Sequence, residues 1–317
     1  MTAESKIFPT HRNEKSVEEL REGFESFDRR FDVLLSENPA LVHHWRGTEW
    51  AEGAVYLPRQ KVVLFSDIPN DRMLQFDPAT GDTTVFREPA NFTNGHYVDL
   101  EGRLVSAQHL THGITRTGHD GTVRMLVDRY EGKRLNSPND LVVKSDGTIW
   151  FTDPPYGILS DHEGHKAESE LEACYVFRFD PETEELRIVC DEIDQPNGIC
   201  FSPDENILYI ADTGKPLNLC AFDVIDGDRI TNKRVFAVVR PGAADGFRVD
   251  TDGNVFTSAS DGIQVYSPSG ELLGKILVPE RQTANCVFGG PDKRRLYITA
   301  SSSLYSIQLN TTGAQTP

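Results

Sequence analysis

Short apolar runs that end in polar side chains recur along the whole chain. They read VVLFSD from Val62, RLVSAQH from Arg103, TIWFTD from Thr148, ILYIAD from Ile207, NVFTSAS from Asn254 and RLYITAS from Arg295. Turn residues precede these runs, such as SDG at 145–147 and TDG at 251–253, and they favour tight hairpins. The pattern therefore predicts six similar β-units.

Another strand is predicted ahead of each hairpin, and its first residue is always a carboxylate or a carboxamide. These first residues are Glu52, Asn94, Asn139, Asn197, Asp245 and Asn285. A third strand follows in each unit, for example RMLQFDP and CYVFRFDP, and usually a fourth. Six units of four antiparallel strands, spaced about 40 to 58 residues apart, predict an all-β protein with the fold of a six-bladed β-propeller.

The two ends of the chain predict how the ring closes. The sixth unit lacks a fourth strand, whereas LVHHWRG at 41–47 precedes the first unit without a partner. We expect this N-terminal strand to join blade six. Residues 16–36 begin with a Ser16–Glu19 capping-box spacing and carry apolar residues at three-to-four intervals, which predicts one helix outside the ring. The expected domains are an N-terminal extension, 1–40, and a propeller, 41–317.

Composition narrows the environment and the partners. A formal net charge of -17 repels phosphate backbones and anionic lipid, which argues against nucleic acid or a membrane surface as partner. The chain has no apolar stretch long enough for a membrane span, and its amino terminus lacks the apolar centre of a secretory signal. The five cysteines form no CxxC pair. These features predict a soluble, cytoplasmic protein with reduced cysteines.

The six first residues of the units predict a metal site. If the first strand of each blade is innermost, these residues lie around one mouth of the central channel. Any single Asn or Asp at a loop end is explained more simply by hydrogen bonds to nearby backbone. Six in register favour oxygen ligands for a hard divalent cation, with Ca²⁺ as the first expectation.

The ends of the second strands return to the same face and are expected to line the same pocket. They are Asp67, His109, Asp153, Asp212, Ser260 and Ser301. His109 is assigned either a substrate contact or a structural hydrogen bond. His96, inside an inner strand, is expected to line the channel structurally. The long loop 154–173, which contains Tyr156, also leaves from this face and is predicted to form a lid or a pocket wall.

Several short sequence motifs resemble those of one family. WAEGAVYLP, LNSPNDLVV, FTDPPYG, QPNGICFSPDE and DGFRVDTDGNVF, within Leu41–Leu309, resemble the gluconolactonase branch of the family that includes regucalcin and the luciferin-regenerating enzyme. The resemblance implies a six-bladed propeller, one divalent metal at the channel mouth and hydrolysis of sugar lactones. It implies the metal ligands Glu52, Asn139, Asn197 and Asp245, which Ca²⁺, Zn²⁺, Mn²⁺ and Mg²⁺ could share. Ala54 departs from the proline usual in the family.

The hypothesis for function is metal-dependent hydrolysis of a small-molecule sugar lactone, like gluconolactone, to its aldonic acid. Asp245 is the candidate general base, with water ionised by the cation as its rival. The candidate substrate-binding residues are His109, Asn94, Asn139 and Tyr156. Two alternatives stay open: a phosphotriesterase-like hydrolase on the same metal, and a non-enzymatic calcium-binding or interaction propeller. The sequence leaves the particular lactone and the oligomeric state undetermined.

Overall fold

Antiparallel sheets of four or five strands recur six times in the computed structural model, which describes residues 18–315. Four elements precede the first blade: β1 (Glu18–Leu20), β2 (Phe24–Ser26), α1 (Arg29–Leu34) and β3 (Leu41–Arg46). Blade one contains β4 (Ala51–Leu57), β5 (Val62–Asp67), β6 (Arg72–Asp77) and β7 (Asp82–Arg87). Blade two contains β8 (Thr93–Val98), β9 (Leu104–Gln108), β10 (Gly113–Thr117) and β11 (Val123–Val127).

The remaining four blades follow in chain order. A two-stranded hairpin comes first: β12 (Arg129–Tyr130) and β13 (Lys133–Arg134). Blade three then has β14 (Leu141–Val143), β15 (Ile149–Asp153), α2 (Tyr156–Leu159), β16 (Tyr175–Asp180) and β17 (Glu185–Cys190). Blade four has β18 (Pro196–Phe201), β19 (Ile207–Asp212), β20 (Asn218–Ile225) and β21 (Arg229–Ala237). Blades five and six have β22 (Phe247–Val249), β23 (Val255–Ala259), β24 (Gly262–Tyr266) and β25 (Leu272–Leu277), then β26 (Thr283–Gly289), β27 (Arg295–Ala300) and β28 (Ser303–Gln308).

The first strand of each blade is innermost. Contacts run from β4 to β8, β14, β18, β22 and β26 and back to β4, so the six first strands surround one channel. β4, β8 and β26 are buried along their whole lengths because each packs against its own sheet and against the neighbouring inner strands. The predicted six-bladed β-propeller is confirmed.

The N-terminal strand closes the ring as predicted. β3 pairs antiparallel with β28, with Leu41 opposite Ile307 and Arg46 opposite Ser303. β1 pairs with the other edge of β3, so blade six has the strand order β26-β27-β28-β3-β1. The start and the end of the fold thus share one sheet.

One helix does lie within residues 16–36, as predicted, but it is much shorter than the expected segment, and Ser16 lies outside the described residues. Glu19 belongs to β1, and Phe24 belongs to β2, which pairs with β25 at the outer edge of blade five. Only α1 is helical, with the Asp28 carboxylate accepting a hydrogen bond from Arg30 N at 2.9 Å as its N-cap. Phe31 is fully buried in that turn. Unpaired sheet edges offer backbone partners that outweigh the local helical spacing.

Aromatic side chains pack between neighbouring blades. Trp150 of blade three meets Phe201 of blade four edge to face, with ring centroids 5.3 Å apart. Phe256 of blade five meets Phe288 of blade six in the same way at 5.2 Å. Such pairs bury large apolar areas in defined orientations, so they fix the angle between blades as well as stabilising them.

Two further expectations concern cysteines and membranes. All five cysteines are free thiols, and four of them are buried, which agrees with their prediction as reduced side chains. Among residues 18–315, no helix is long and apolar enough to cross a membrane.

Candidate active site at the channel mouth

The six residues predicted from their register do meet in a ring. Asn285 Nδ2 of blade six donates a hydrogen bond to Glu52 Oε2 of blade one at 2.9 Å. Next to Glu52, Gly53 has φ +57°, and a Cβ on it would lie 1.9 Å from Asn94 O. A side chain there would push blades one and two apart, so glycine is required. Blades six, one and two therefore present these residues side by side.

The ring continues through the other blades. Gly95 N donates to Asn139 O at 2.8 Å, which joins blade two to blade three. Thr152 Oγ1 of blade three donates to Asn197 O of blade four at 2.7 Å. A Cβ on Gly198 would lie 2.0 Å from Asp245 O, so blades four and five are also in direct contact. Five of the six mouth side chains are buried, whereas Asp245 is half-buried.

The pKa of each of the two acids of the ring is raised. Burial raises the pKa of Glu52 to about 7, and the charges of Asp140 and Glu163 act in the same direction. The pKa of Asp245 is raised well above its usual value, and burial is the largest cause. The charge of Glu52 is the next largest cause. The groups that oppose these shifts are the carboxamides of Asn285 and Asn197 and a backbone N–H, all neutral. Carboxyls in this position would be stabilised by a cation.

The donor chemistry of the ring fits a hard divalent cation. The ring contains two acids, Glu52 and Asp245, and carboxamide residues such as Asn139 and Asn197. The Asn197 carboxamide acts to lower the pKa of Asp245 and so favours its charged form. Within the described part of the chain, no cluster of three or more His, Cys, Asp or Glu is arranged for a metal. A cation would therefore depend on the carboxamides, which suits Ca²⁺ better than a structural zinc ion.

A buried ion pair lies beneath the mouth. Asp140 follows Asn139 in the chain. Its Oδ1 accepts a hydrogen bond from Leu141 N at 2.8 Å, and its Oδ2 lies 3.7 Å from Arg248 Nη1. Both side chains are 2% exposed, and Arg248 also donates to Phe247 O at 2.7 Å. The Arg248 guanidinium therefore lies in the channel interior, where it pairs with Asp140.

His96 fills the channel as a structural residue, as predicted. Its ring nitrogens lie 2.9 Å from Ser66 Oγ and 2.8 Å from Ser106 Oγ. Burial lowers the pKa of His96 to about 3, so the ring is neutral at physiological pH. These contacts join blades one and two behind the site.

Three acids at the ends of second strands do not line the pocket. Asp67 Oδ1 accepts from Glu49 N at 2.9 Å, and the two Asp153 oxygens accept from the backbone of Asn136 and Ser137, both at 2.9 Å. Asp212 accepts in the same way from the loop before β18. Each carboxylate therefore holds the loop that delivers a first residue to the ring. Alternation placed these acids at the correct end of the blade, but their hydrogen bonds turn them to the backbone.

The loop 154–173 crosses the mouth from blade three. Gly157 N donates to Ser137 Oγ at 2.9 Å near its start. Farther along, His109 Nδ1 of blade two donates to Glu163 O at 2.7 Å. His162 Nδ1 lies 3.8 Å from Glu49 Oε1 of blade one. These contacts on three blades place the middle of the loop over the entrance, where a lid or wall was predicted.

Two of the predicted substrate-binding residues have defined surroundings. His109 is fully buried, and burial lowers its pKa to about 4, so it holds the loop as a neutral ring. Its other nitrogen, Nε2, lies 3.5 Å from Asn94 Nδ2. Tyr156 hydrogen-bonds through its hydroxyl to Thr213 and also interacts with Asn197. Both residues border the ring, and their contact with substrate stays a prediction.

Glu163 is a residue that sequence reasoning missed. It is half-buried on the loop, and its charge contributes to the raised pKa of both Glu52 and Asp245. No strand periodicity applies to an irregular loop, so its direction could not be inferred. The only signal was its position in a long segment that leaves the mouth of the ring.

The family profile described as "SMP-30/Gluconolactonase/LRE-like region" matches residues 50–302. This match spans most of the chain, and the chain belongs to that family. A gluconolactonase of Zymomonas mobilis is 30% identical over 312 residues, spanning 90% of this chain and 86% of the relative.

Two further relatives extend the comparison. The solved structure of a gluconolactonase from Xanthomonas campestris superposes with a TM-score of 0.87 at 36% identity, covering 91% of this chain and 95% of that one. A 6-deoxy-6-sulfogluconolactonase of Pseudomonas putida is 28% identical over 255 residues, covering 79% of this chain and 82% of the relative. The predicted family resemblance is confirmed.

Proposed function

We propose that this protein hydrolyses a sugar lactone, of the kind represented by gluconolactone, to its aldonic acid with the help of one divalent cation. The observation that carries the proposal is the pair Glu52 and Asp245, brought together among carboxamides at the channel mouth. The gluconolactonase relatives support the reaction class. Ca²⁺ is the first choice of cation, and Zn²⁺, Mn²⁺ and Mg²⁺ accept the same ligand atoms.

The cation would be held by Glu52, Asn139, Asn197 and Asp245, and when bound it would polarise the lactone carbonyl as a Lewis acid. Asp245 is the proposed general base because its half-buried side chain borders the open mouth, where water can reach it. Asn94, Tyr156 and Nε2 of His109 would position the sugar, with Asn139 near the carbonyl. These residues offer neutral polar groups that match sugar hydroxyls.

The bonds and protons of the reaction balance without any further reactant. The water oxygen bonds to the carbonyl carbon while Asp245 takes a water proton. The bond between that carbon and the ring oxygen then breaks, and the ring oxygen leaves as a hydroxyl after receiving the proton. The new carboxylic acid ionises at neutral pH and releases one proton to solvent.

Proton release gives a direct test of the activity. Glucono-1,5-lactone is added to chelator-treated protein, and to the same protein resupplied separately with Ca²⁺, Zn²⁺, Mn²⁺ or Mg²⁺, against the spontaneous rate. We expect acceleration that depends on the cation. Absence of acceleration with every cation, in protein shown by calorimetry to bind one, would reject the proposal and direct tests to phosphotriesters.

Replacing Asp245→Asn tests the proposed ligand and base together. We expect at least a hundredfold loss of kcat/KM and weaker Ca²⁺ binding by calorimetry, because one charged ligand and the proton acceptor are both removed. Asp252→Asn is the matched control, since Asp252 is an exposed aspartate in a turn of the same blade. Full metal binding together with full turnover in Asp245→Asn would remove Asp245 from both roles.

A further inference from the structure

Glu163 is held at the channel mouth by contacts of its backbone and of the two residues that follow it. His109 Nδ1 holds the backbone oxygen of the same residue at 2.7 Å. The next residue, Gly164, is buried so tightly that a Cβ on it would lie 2.1 Å from Gly157 O. On the far side, His165 meets Phe92 of blade two with ring centroids 5.8 Å apart. Glu163 is therefore fixed from both sides rather than carried on a free loop.

Negative charge is in excess around the entrance, and Glu163 contributes to this excess. A divalent cation would neutralise the two ring carboxylates, Glu52 and Asp245, and leave Glu163 as a further negative charge. Arg248 does not compensate it, because its guanidinium lies in the channel beside Asp140. The chain as a whole has a formal net charge of -17, which adds repulsion of anions at longer range. An incoming ligand meets Glu163 in a partly desolvated place, where charges interact strongly.

We propose that Glu163 is a specificity-determining residue that selects uncharged sugar lactones over lactones bearing an anionic substituent, and that promotes release of the anionic aldonate product. This inference rests on the proposed lactonase function. The discrimination is by repulsion: a phosphate, sulfonate or carboxylate on the sugar would approach the negatively charged carboxylate of Glu163. A neutral lactone is not repelled, because its hydroxyls can donate hydrogen bonds to the carboxylate oxygens of Glu163.

The test compares two lactones that differ in one group. Glucono-1,5-lactone and its 6-phosphate are assayed at about pH 7.5 with cation present, in the parent protein and in Glu163→Gln. Glu168→Gln is the matched control because Glu168 is exposed on the same loop. We expect Glu163→Gln to raise the ratio of kcat/KM for the phosphorylated over the neutral lactone about tenfold. The gain should shrink in about 0.5 M salt, which a merely structural effect would not do.

Product binding is an independent readout. Gluconate binding, measured by calorimetry, should tighten about fivefold in Glu163→Gln and stay at the parental value in Glu168→Gln. An unchanged lactone ratio in Glu163→Gln would overturn the inference. So would an equal fall in turnover of both lactones or a loss of Ca²⁺ affinity, since Glu163 would then belong to the metal site. If the parent protein hydrolyses neither lactone, the proposed function fails first and this inference fails with it.

Discussion

At the scale of single residues, Glu52 links the site to stability. Its pKa of about 7 lies above the value of 4.5 for a free carboxyl because it is buried. The folded, metal-free protein therefore binds a proton more tightly than the unfolded chain does. The penalty for ionising Glu52 is absent below about pH 4.5, grows as the pH rises toward 7 and is then constant. The site is thus a source of instability until a cation is bound.

Glu52→Gln should remove this penalty. We expect the free energy of unfolding of the variant, minus that of the parent, to rise by on the order of 3 kcal/mol between about pH 4.5 and 7.5. Urea denaturation in the presence of chelator measures it, and any constant loss from the changed hydrogen bonds cancels in the comparison. Glu49→Gln is the control, since Glu49 is an exposed acid before the same strand. A pH-independent difference for Glu52→Gln would contradict the assignment.

The residues of the ring were predictable because strand register carries spatial information. Alternation and turn spacing place Glu52, Asn139 and Asp245 at equivalent points of their blades, and the closed ring brings equivalent points together. Hydrogen bonding decides where a side chain turns once it is there. The register therefore predicted the end of the strand at which Asp153 lies. It did not predict that the Asp153 carboxylate accepts a hydrogen bond from the backbone of Asn136 instead of lining the pocket. Glu163 had no register to follow at all.

At the scale of elements, the same limit applies to the N-terminal segment. Its apolar spacing satisfied a helix, yet Phe27 is 57% exposed, whereas Phe31 is fully buried. Pairing with the edges of blades five and six was invisible in the segment itself. β25, the partner of β2, lies more than two hundred residues away, and β1 pairs with β3, which belongs to blade six only through its pairing with β28. Sequence thus predicts repeated hairpins well, but it predicts poorly which segment pairs with a free sheet edge.

The loop over the mouth depends on one buried histidine. His109→Ala removes the donor to Glu163 O and the ring that packs under Gly157. We expect amide hydrogen exchange across residues 154–173 to accelerate about tenfold, with the strands of the propeller unchanged. KM for the lactone should rise more than kcat falls, because the loop shapes the entrance. Since His109 is neutral above about pH 4, the effect should be the same at pH 6 and pH 8.

His162→Ala is the control for this experiment. His162 is on the same loop but is 57% exposed, and its side chain makes a long contact with Glu49. Its exchange pattern should match the parent within a factor of about two. Parental exchange in His109→Ala would mean that the loop is held by its other contacts, such as that between Ser137 and Gly157.

At the scale of the whole molecule, ring closure makes every blade depend on β3. Leu41 is 1% exposed, lies opposite Ile307 of β28 and packs in the core shared by blades five and six. Leu41→Ala should lower the free energy of unfolding by about 3 kcal/mol, whereas Val33→Ala, at a side chain 69% exposed, should change it by less than about 0.5 kcal/mol.

Because the inner strands contact one another around the channel, we expect the ring to open as one unit. Hydrogen exchange should then report the same loss of protection in β15 of blade three as in β27 of blade six. A loss confined to blade six would mean that the blades unfold separately, and the mouth residues of blades one to five would keep their positions without the closing strand.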